Sequence, residues 1–403
     1  MKQRILRIAA ILLILHIFLP IYGANTKNYS FMGISMYIWL WISLLLFSDY
    51  KRFFTAPYGL IYLFAIVITV MWIIAWDRLG SVGYIVSDLL NLIVPISVFD
   101  YFISRRDYRG LNSIVIVALV SVMITLIVDI MVFHVTGLSS RNIHMMHATQ
   151  NYVVTGRYGL SGMTYYYAIS LLLPVVIGSY KSLMVRRFQK IVLLIFILVA
   201  LYALFVAEYA TAFLIGVAGT VFGFLGLKRL KYSIYISFVL IAIIFYLPRD
   251  TIGTGIQYVA SQSEGDTMAA RLDDLGTTIG NPNRTSVTHI DARARRIPYL
   301  LGFFLSSPVI GGGPTTEHSF WLDRLSMYGI IGITPWIMIF IYYYRRLMPM
   351  FDDLYKFYYV TTILLYVAMG IMKDMPGRDY MYVMFLIVPS VYFSNVYEKA
   401  IHG

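Results

Sequence analysis

Apolar residues in this chain gather into long runs separated by short polar breaks, and the runs are long enough to cross a lipid bilayer. A helical crossing needs about 17–25 predominantly apolar residues. About twelve windows meet that need, near 5–22, 32–48, 58–76, 83–103, 112–133, 162–180, 190–207, 210–227, 232–248, 321–344, 357–372 and 379–396. No small-residue cleavage site follows the first run and the second comes at once, so the first is expected to be a retained helix rather than a secretion signal. The break at Glu208–Thr211 is short enough to make the seventh and eighth runs a close hairpin. Two breaks exceed a turn. The first, 134–161, carries His134, Arg141, His144, His147 and Arg157. The second, 249–320, reads as turns and irregular structure from Gly253 to Asn283 and as a helix with an apolar face from Asp291 to Ser307. A connection of that length is unusual unless it works as a lid or forms a site.

Composition agrees with a membrane protein. The 403 residues are 59% hydrophobic and 13% charged, with mean hydropathy +0.74, where soluble domains carry about 25% charged residues. The expected fold is an all-α polytopic membrane protein of about twelve transmembrane helices with one large external loop containing short helices. Its parts are 1–248 (nine spans and the segment 134–161), the loop 249–320, and 321–403 (three spans). The absence of cysteine removes disulfides, thiol nucleophiles and Cys-ligated metal.

The net charge of +12 would suit a nucleic-acid partner if it were clustered, but its placement suits a membrane. Alternate connections hold Lys2, Arg4, Arg7, Lys51, Arg52, Arg105, Arg106, Arg109, Lys181, Arg186, Arg187, Lys190, Lys228, Arg229, Lys231, Arg345, Arg346, Lys356 and Lys399. The short connections of the other set hold only Lys27, Arg78, Arg141, Arg157, Lys373 and Arg378. The positive-inside rule makes the first set cytoplasmic, with both termini inside, and leaves no case for nucleic acid.

Candidate chemistry lies outside. His318 stands just before an apolar run, and Gly329 and Gly332 follow at positions that share one helix face and would let another helix approach. An imidazole there could serve as a general base for a hydroxyl; the alternative is an interfacial histidine without chemistry. Arg293, Arg295 and Arg296 fall within four positions, and Arg157 at the mouth of the sixth run. Guanidinium forks suit a diphosphate; the alternative is pairing with Asp273, Asp274 or Asp291. Asp88, Asn91 and Asp129 fall within runs, where structural pairing is the favoured reading. His144 and His147 have helical spacing for a metal pair, but no carboxylate motif supports it, so a plain loop is favoured. Glu208 could face the site from its hairpin tip. The abundant tyrosines, Tyr165–Tyr167 among them, fit interface belts.

The pattern His318-Ser319, nine residues, Gly329-x-x-Gly332 after a long external loop resembles the O-antigen ligase and polymerase superfamily. Asp291-Ala292-Arg293, fourteen residues, Pro308-x-x-Gly311 is similar to that family's arginine helix and turn, and TGRYGLSGMT around Arg157 to its earlier external segment. One departure stands out. Many members carry an arginine between the seventh and eighth spans, and here the matching stretch is Ala207-Glu208-Tyr209-Ala210-Thr211, with Tyr209 in its place.

The resemblance implies a GT-C-like glycosyltransferase of the bacterial inner membrane with a periplasmic active site and neither metal nor cofactor. Its donor would be a glycan on undecaprenyl diphosphate, gripped by Arg157 and Arg293 with Arg295 or Arg296 assisting; His318 would ready the acceptor hydroxyl. A polymerase would extend a lipid-linked repeat, a ligase would transfer polymer to lipid A–core. The missing arginine favours the polymerase. Membrane lipids and a chain-length regulator protein are the further partners implied. A twelve-span transporter or flippase is the remote alternative. Asp77–Gly80 resembles a transporter loop motif, but charge puts it on the wrong side and no duplicated halves are evident.

Overall fold

The computed structural model describes residues 2–25, 30–31, 34–74, 82–145, 158–182, 185–226, 249–262, 269–270, 272–274, 276–277, 296–313, 319–373, 375 and 378–402. Their β-structure is one two-residue ladder pairing Ser30 with Ser35 and Phe31 with Ile34; the rest of the ordered backbone is helical. The first half of the bundle runs α1 (Lys2–Phe18), α2 (Pro20–Asn25), α3 (Met36–Asp49), α4 (Ala56–Ile74), α5 (Val82–Ser104), α6 (Tyr108–Thr136) and α7 (Ser140–Met145). Then come α8 (Met163–Lys181), α9 (Arg187–Val206), α10 (Ala210–Leu225), α11 (Arg249–Ser261) and α12 (Arg296–Ser306). The chain closes with α13 (Phe320–Leu347), α14 (Asp353–Met372), α15 (Arg378–Tyr382), a π-helical turn at Val383–Ile387 and α16 (Val388–His402).

Among the described residues, six helical stretches have the length and composition of a membrane span: Tyr108–Thr136, Met163–Lys181, Arg187–Val206, Phe320–Met350, Asp353–Met372 and Arg378–Ile401. The expected count of twelve is not reached by this measure, for a plain geometric reason. At about 1.5 Å per residue, α10 spans only about 24 Å against a hydrocarbon core of about 30 Å. Met36–Phe54 and Pro57–Val70 meet at a bend of 89° where two separate spans were expected. The expected span 232–248 lies outside the described residues. Outward faces are apolar, as lipid contact requires: on α6, Ile116, Val120, Ile124, Ile127 and Met131 are exposed at helical spacing.

The hub is α8. It is apolar all round and buried from Tyr165 to Ser179, the signature of a helix enclosed by others. Against it α10 lays Gly216, Gly219 and Gly223, where an added Cβ would stand 3.3 Å or less from Leu173, Pro174 and Ile177; small residues at this spacing let the two backbones close up. α6 begins on Asp107, whose carboxylate accepts from Gly110 N–H at 3.0 Å, and ends on Gly137 at φ 66° with its N–H on the Phe133 carbonyl.

The two ends of the bundle separate the chain as the charge count predicts. Arg7 reaches Asp107 at 2.5 Å, Asn112 and Gln189 both reach Glu398, and Arg346 reaches Asp100 at 2.6 Å, all at the basic end. At the other end Arg141 N–H meets the Ala207 carbonyl and Thr164 Oγ1 donates to Asp379 at 2.7 Å. One part of the loop differs from expectation. Residues 249–261, read as irregular beyond Gly253, form α11, whose Ala260 and Ile256 pack with Leu272, Ala210 and Phe213. The stripe Ile256–Ala260 at i, i+4 docks on the start of α10, and this packing outweighs the helix-weakening glycines.

Candidate functional site

The site is built from a turn and a broken helix. After α12 the chain passes Pro308 and reaches Gly311 and Gly312, both in the left-handed region at φ 70° and 98°. This turn lies backbone to backbone on α13. Gly312 and Gly313 N–H donate to the Met327 and Ser326 carbonyls at 2.9 and 3.0 Å; Ile330 and Ile331 N–H donate to the Pro308 and Val309 carbonyls at 2.9 and 3.1 Å. Such contact is open only because α13 breaks at Gly329, φ 61° and ψ −168°. A Cβ there would sit 2.5 Å from the Val309 carbonyl oxygen, and one on Gly311 would meet the Gly329 nitrogen at 2.5 Å.

The break reverses the chain. In a straight helix Trp321 and Phe340 would be about 28 Å apart along the axis. Their rings are 6.4 Å apart, and those of Phe320 and Trp336 are 5.9 Å apart. Residues 320–328 therefore fold back beside 330–347 as a helical hairpin with Gly329 at its tip. This corrects two expectations. The run 321–344 is not one span, since its first eight residues belong to the returning arm. Gly329 does not share a helix face with Gly332 for another helix to approach; it is the bend into which the Pro308–Gly311 turn inserts. Ser319 lies about 15 Å along the axis from the glycine tip, at a level between Trp336 and Phe340. Non-helical backbone at membrane depth is tolerated where protein satisfies its polar groups, as the turn does here.

The recessed arm is tied down by polar contacts. Phe320 N–H donates to the Lys373 carbonyl at 3.0 Å, Ser319 N–H to Asp323 Oδ2 at 3.1 Å, and Asp323 N–H back to the Ser319 carbonyl at 2.8 Å. Beside Asp323, the Arg324 guanidinium lies 4.4 Å over the Phe320 ring and 5.5 Å over Trp336. That geometry holds a permanent charge against two aromatic faces. Sequence reasoning missed this residue because it sits in an apolar run. The signal was available, since an ionisable residue inside a predicted span is a functional candidate by default.

A second polar layer joins the ends of α6, α8 and the α9–α10 hairpin that lie away from the basic end. Asp129, fully buried, accepts from Tyr166 Oη at 2.6 Å, from Ser161 N–H at 3.3 Å and from Ser161 Oγ. Ser140 Oγ reaches the Ser161 carbonyl at 3.2 Å and the Tyr209 hydroxyl at 3.4 Å. Asp129 thus acts as a structural tie, as its pairing suggested. Arg378 meets His16 Nε2 at 3.3 Å, and Asp379, 9% exposed, holds Thr164. These two pairs also escaped the sequence reading.

Of the residues expected to do chemistry, His318, Arg157, Arg293 and Arg295 lie outside the described residues, as does His147. Arg296 opens α12 and is described in backbone only, as are His144 in α7 and Asp88 in α5. Their described neighbours are Ser319, on the recessed arm, and Tyr158. Glu208, at φ 62° and 7% exposed, accepts from Ser139 Oγ at 2.8 Å. This buried bond ties it to the start of α7; the residues it was expected to face lie outside the described residues. Tyr209 is buried with its ring 5.7 and 6.1 Å from those of Tyr166 and Tyr167. Burial, first of all, pushes its phenol up to about 12, so at neutral pH it is uncharged and supplies no replacement for an arginine. Among the described residues no three His, Cys, Asp or Glu side chains converge as a metal ion would need.

What the described arrangement offers is a cation on aromatic faces, a recessed backbone arm, and a glycine lock holding that arm to α12. Comparison with protein-family models, with characterised proteins and with solved structures finds no match to this chain.

Proposed function

We propose that this chain is a membrane glycosyltransferase that polymerises undecaprenyl-diphosphate-linked oligosaccharide repeats on the periplasmic face, with inversion. The observation that carries the reading is the backbone lock between Pro308–Gly311 and Gly329. It joins two of the three motifs on which the resemblance to the O-antigen ligase and polymerase superfamily rests. One motif brings Arg293 and Arg295, with Arg296 at the start of α12; the other brings His318, next in sequence to the recessed Ser319. The charges and the base called for by the chemistry are thereby attached to segments that are bonded to each other.

In the proposed step the acceptor hydroxyl oxygen attacks the anomeric carbon of the donor sugar as the bond from that carbon to the diphosphate oxygen breaks. The electron pair leaves with undecaprenyl diphosphate and the hydroxyl proton goes to His318. Arg157 and Arg293 stabilise the charge that develops on the leaving group, which is where fixed positive groups do most. Arg324 adds a cation close to the recessed arm, and the charge of Arg141, which acts on the Tyr209 phenol, lies near the place of the departed arginine.

Purified protein supplied with lipid-linked repeats, with and without lipid A–core, separates the alternatives. The polymerase reading expects longer lipid-linked chains whether or not core is present. Glycan on core would make the protein a ligase, and no covalent change would return it to the transporter class. His318→Ala should leave the protein inserted and folded but abolish product, and Arg293→Lys should impair it because a point charge cannot copy the guanidinium fork. Wild-type product from His318→Ala overturns the mechanism.

A further inference from the structure

A pair of adjoining clefts lies at the basic end of the bundle, opposite the proposed active site. The first, about 410 Å³, is lined by Lys51, Arg52, Asp100 and Arg346 among others; the second, about 420 Å³, by Leu60, Met338, Ile341 and Arg345. Tyr342 and Arg346 line both, so the two are continuous. Where α3 meets α4 at a right angle, the chain leaves an opening between that corner and the end of α13.

The carboxylates at this opening are already occupied. Asp49 is held by Arg52 at 2.9 Å and Arg105 at 3.1 Å. Asp100 accepts from Arg346 at 2.6 Å and Tyr343 Oη at 3.0 Å, while Arg52 also donates to its main-chain carbonyl. These contacts fix Arg52 and Arg346 in place. Lys51 and Arg345 are exposed and make no ion pair with any described residue. Five cations thus face two carboxylates, leaving an excess of positive charge at the mouth of an apolar groove.

The depth of the opening is marked too. Tyr50 and Phe54, flanking Lys51 and Arg52, are 57% and 82% exposed, and Tyr344 next to Arg345 is also exposed. Exposed aromatic rings beside cations are the pattern of a membrane–water interface. Basic pockets between spans at the cytoplasmic side suit anionic headgroups. The positive-inside rule assigns this end to that side.

We propose that the double cleft is a binding site for one anionic phospholipid of the inner leaflet. The headgroup phosphate lies among Lys51, Arg52 and Arg346, with Arg345 at its edge, and an acyl chain lies along Leu60, Met338 and Ile341. The complementarity is twofold, since a free anion would use only the polar cleft and a zwitterionic lipid would bring its own cation into an already positive mouth. The site is independent of the glycosyl-transfer reading.

The test is thermal unfolding of the purified full-length protein in neutral detergent at low ionic strength, with added phosphatidylglycerol, phosphatidylcholine of the same chains, or inorganic phosphate. Phosphatidylglycerol should raise the midpoint beyond phosphatidylcholine, and phosphate alone should not. Lys51→Gln with Arg345→Gln should remove more than half of that excess while leaving the midpoint in phosphatidylcholine unchanged, since neither side chain is buried or ion-paired with a described residue. Arg186→Gln with Lys190→Gln, an equal charge loss on another loop of the same end, should keep it. Equal shifts from the two lipids, a full shift from phosphate alone, or equal loss in both double variants would each overturn the proposal; the last would mean diffuse surface charge rather than a site.

Discussion

At the scale of single residues, Gly329 shows how one backbone conformation organises a region. With φ 61° and ψ −168°, it occupies a part of dihedral space that side chains strongly disfavour, and a Cβ would also strike the Val309 carbonyl. Gly329→Ala should therefore cost about 1–3 kcal/mol of strain and lower product formation by disturbing the lock. Gly302 offers the contrast: it lies in α12 with nothing within 4 Å of an added Cβ. Gly302→Ala should be neutral or slightly stabilising, by up to about 1 kcal/mol from helix propensity. Unfolding midpoints of the two purified variants check this, and similar midpoints would refute the lock. Tyr209 makes a prediction of opposite character. Its phenol is raised from 10.0 to about 12, so folded and unfolded states bind the same protons below pH 10. Above it the unfolded chain ionises first, and stability falls as pH rises from about 10 toward 12, by about 2–3 kcal/mol at most. Tyr209→Phe should flatten that alkaline limb in a pH series of unfolding midpoints; an unchanged limb would mean that other tyrosines carry it. The glycines and Tyr209 could be read as special from sequence, but not their reasons. A glycine pair three apart on an apolar run fits a packing face as well as a bend, and only the partner turn decides between them.

Elements were legible in proportion to their apolar contrast. Long uniform runs such as those of α6, α9 and α14 announced themselves, because nothing but lipid-facing helix accounts for 20 or more apolar residues with few charges. The reversal in α13 was hidden by the same uniformity: both arms of the hairpin are apolar, so the sequence shows one continuous run. Asp323 and Arg324 are the exceptions that divide it, being charges a straight span would hold at depth. Likewise α11 was obscured by its glycines, and α10 passed for a full span although its 16 residues fall short of the hydrocarbon thickness. The hairpin itself can be tested directly because the chain has no cysteine. In the double variant Trp321→Cys with Phe340→Cys the two thiols should join through a short bifunctional maleimide, and the linked peptides should be found by mass after digestion. A straight helix would hold these positions about 28 Å apart, beyond such a reagent, so failure to link in an otherwise folded protein would return α13 to a single span.

The whole molecule has two ends of opposite character. One gathers Arg7, Arg52, Arg105, Lys181 and Arg346 with their carboxylate and carbonyl partners; the other gathers buried hydroxyls with Asp129, Glu208 and Asp379. Charge alternation along the sequence predicts this partition, and the contacts between distant segments place each element accordingly. The positive-inside rule would put the basic end on the cytoplasmic side, an expectation open to direct test. Single cysteines placed at Lys51, Arg186 or Gln262 read that orientation, since each is the sole thiol in its variant and each position is exposed. In intact spheroplasts a membrane-impermeant maleimide should label Gln262→Cys, at the end of α11, and should label Lys51→Cys and Arg186→Cys only after the membrane is opened. If Gln262→Cys were protected while Lys51→Cys reacted from outside, the bundle would be inverted. The turn-and-hairpin site would then face the cytoplasm, where a flipped lipid-linked donor does not reach it, and the proposed transfer reaction would fail with the orientation on which it depends.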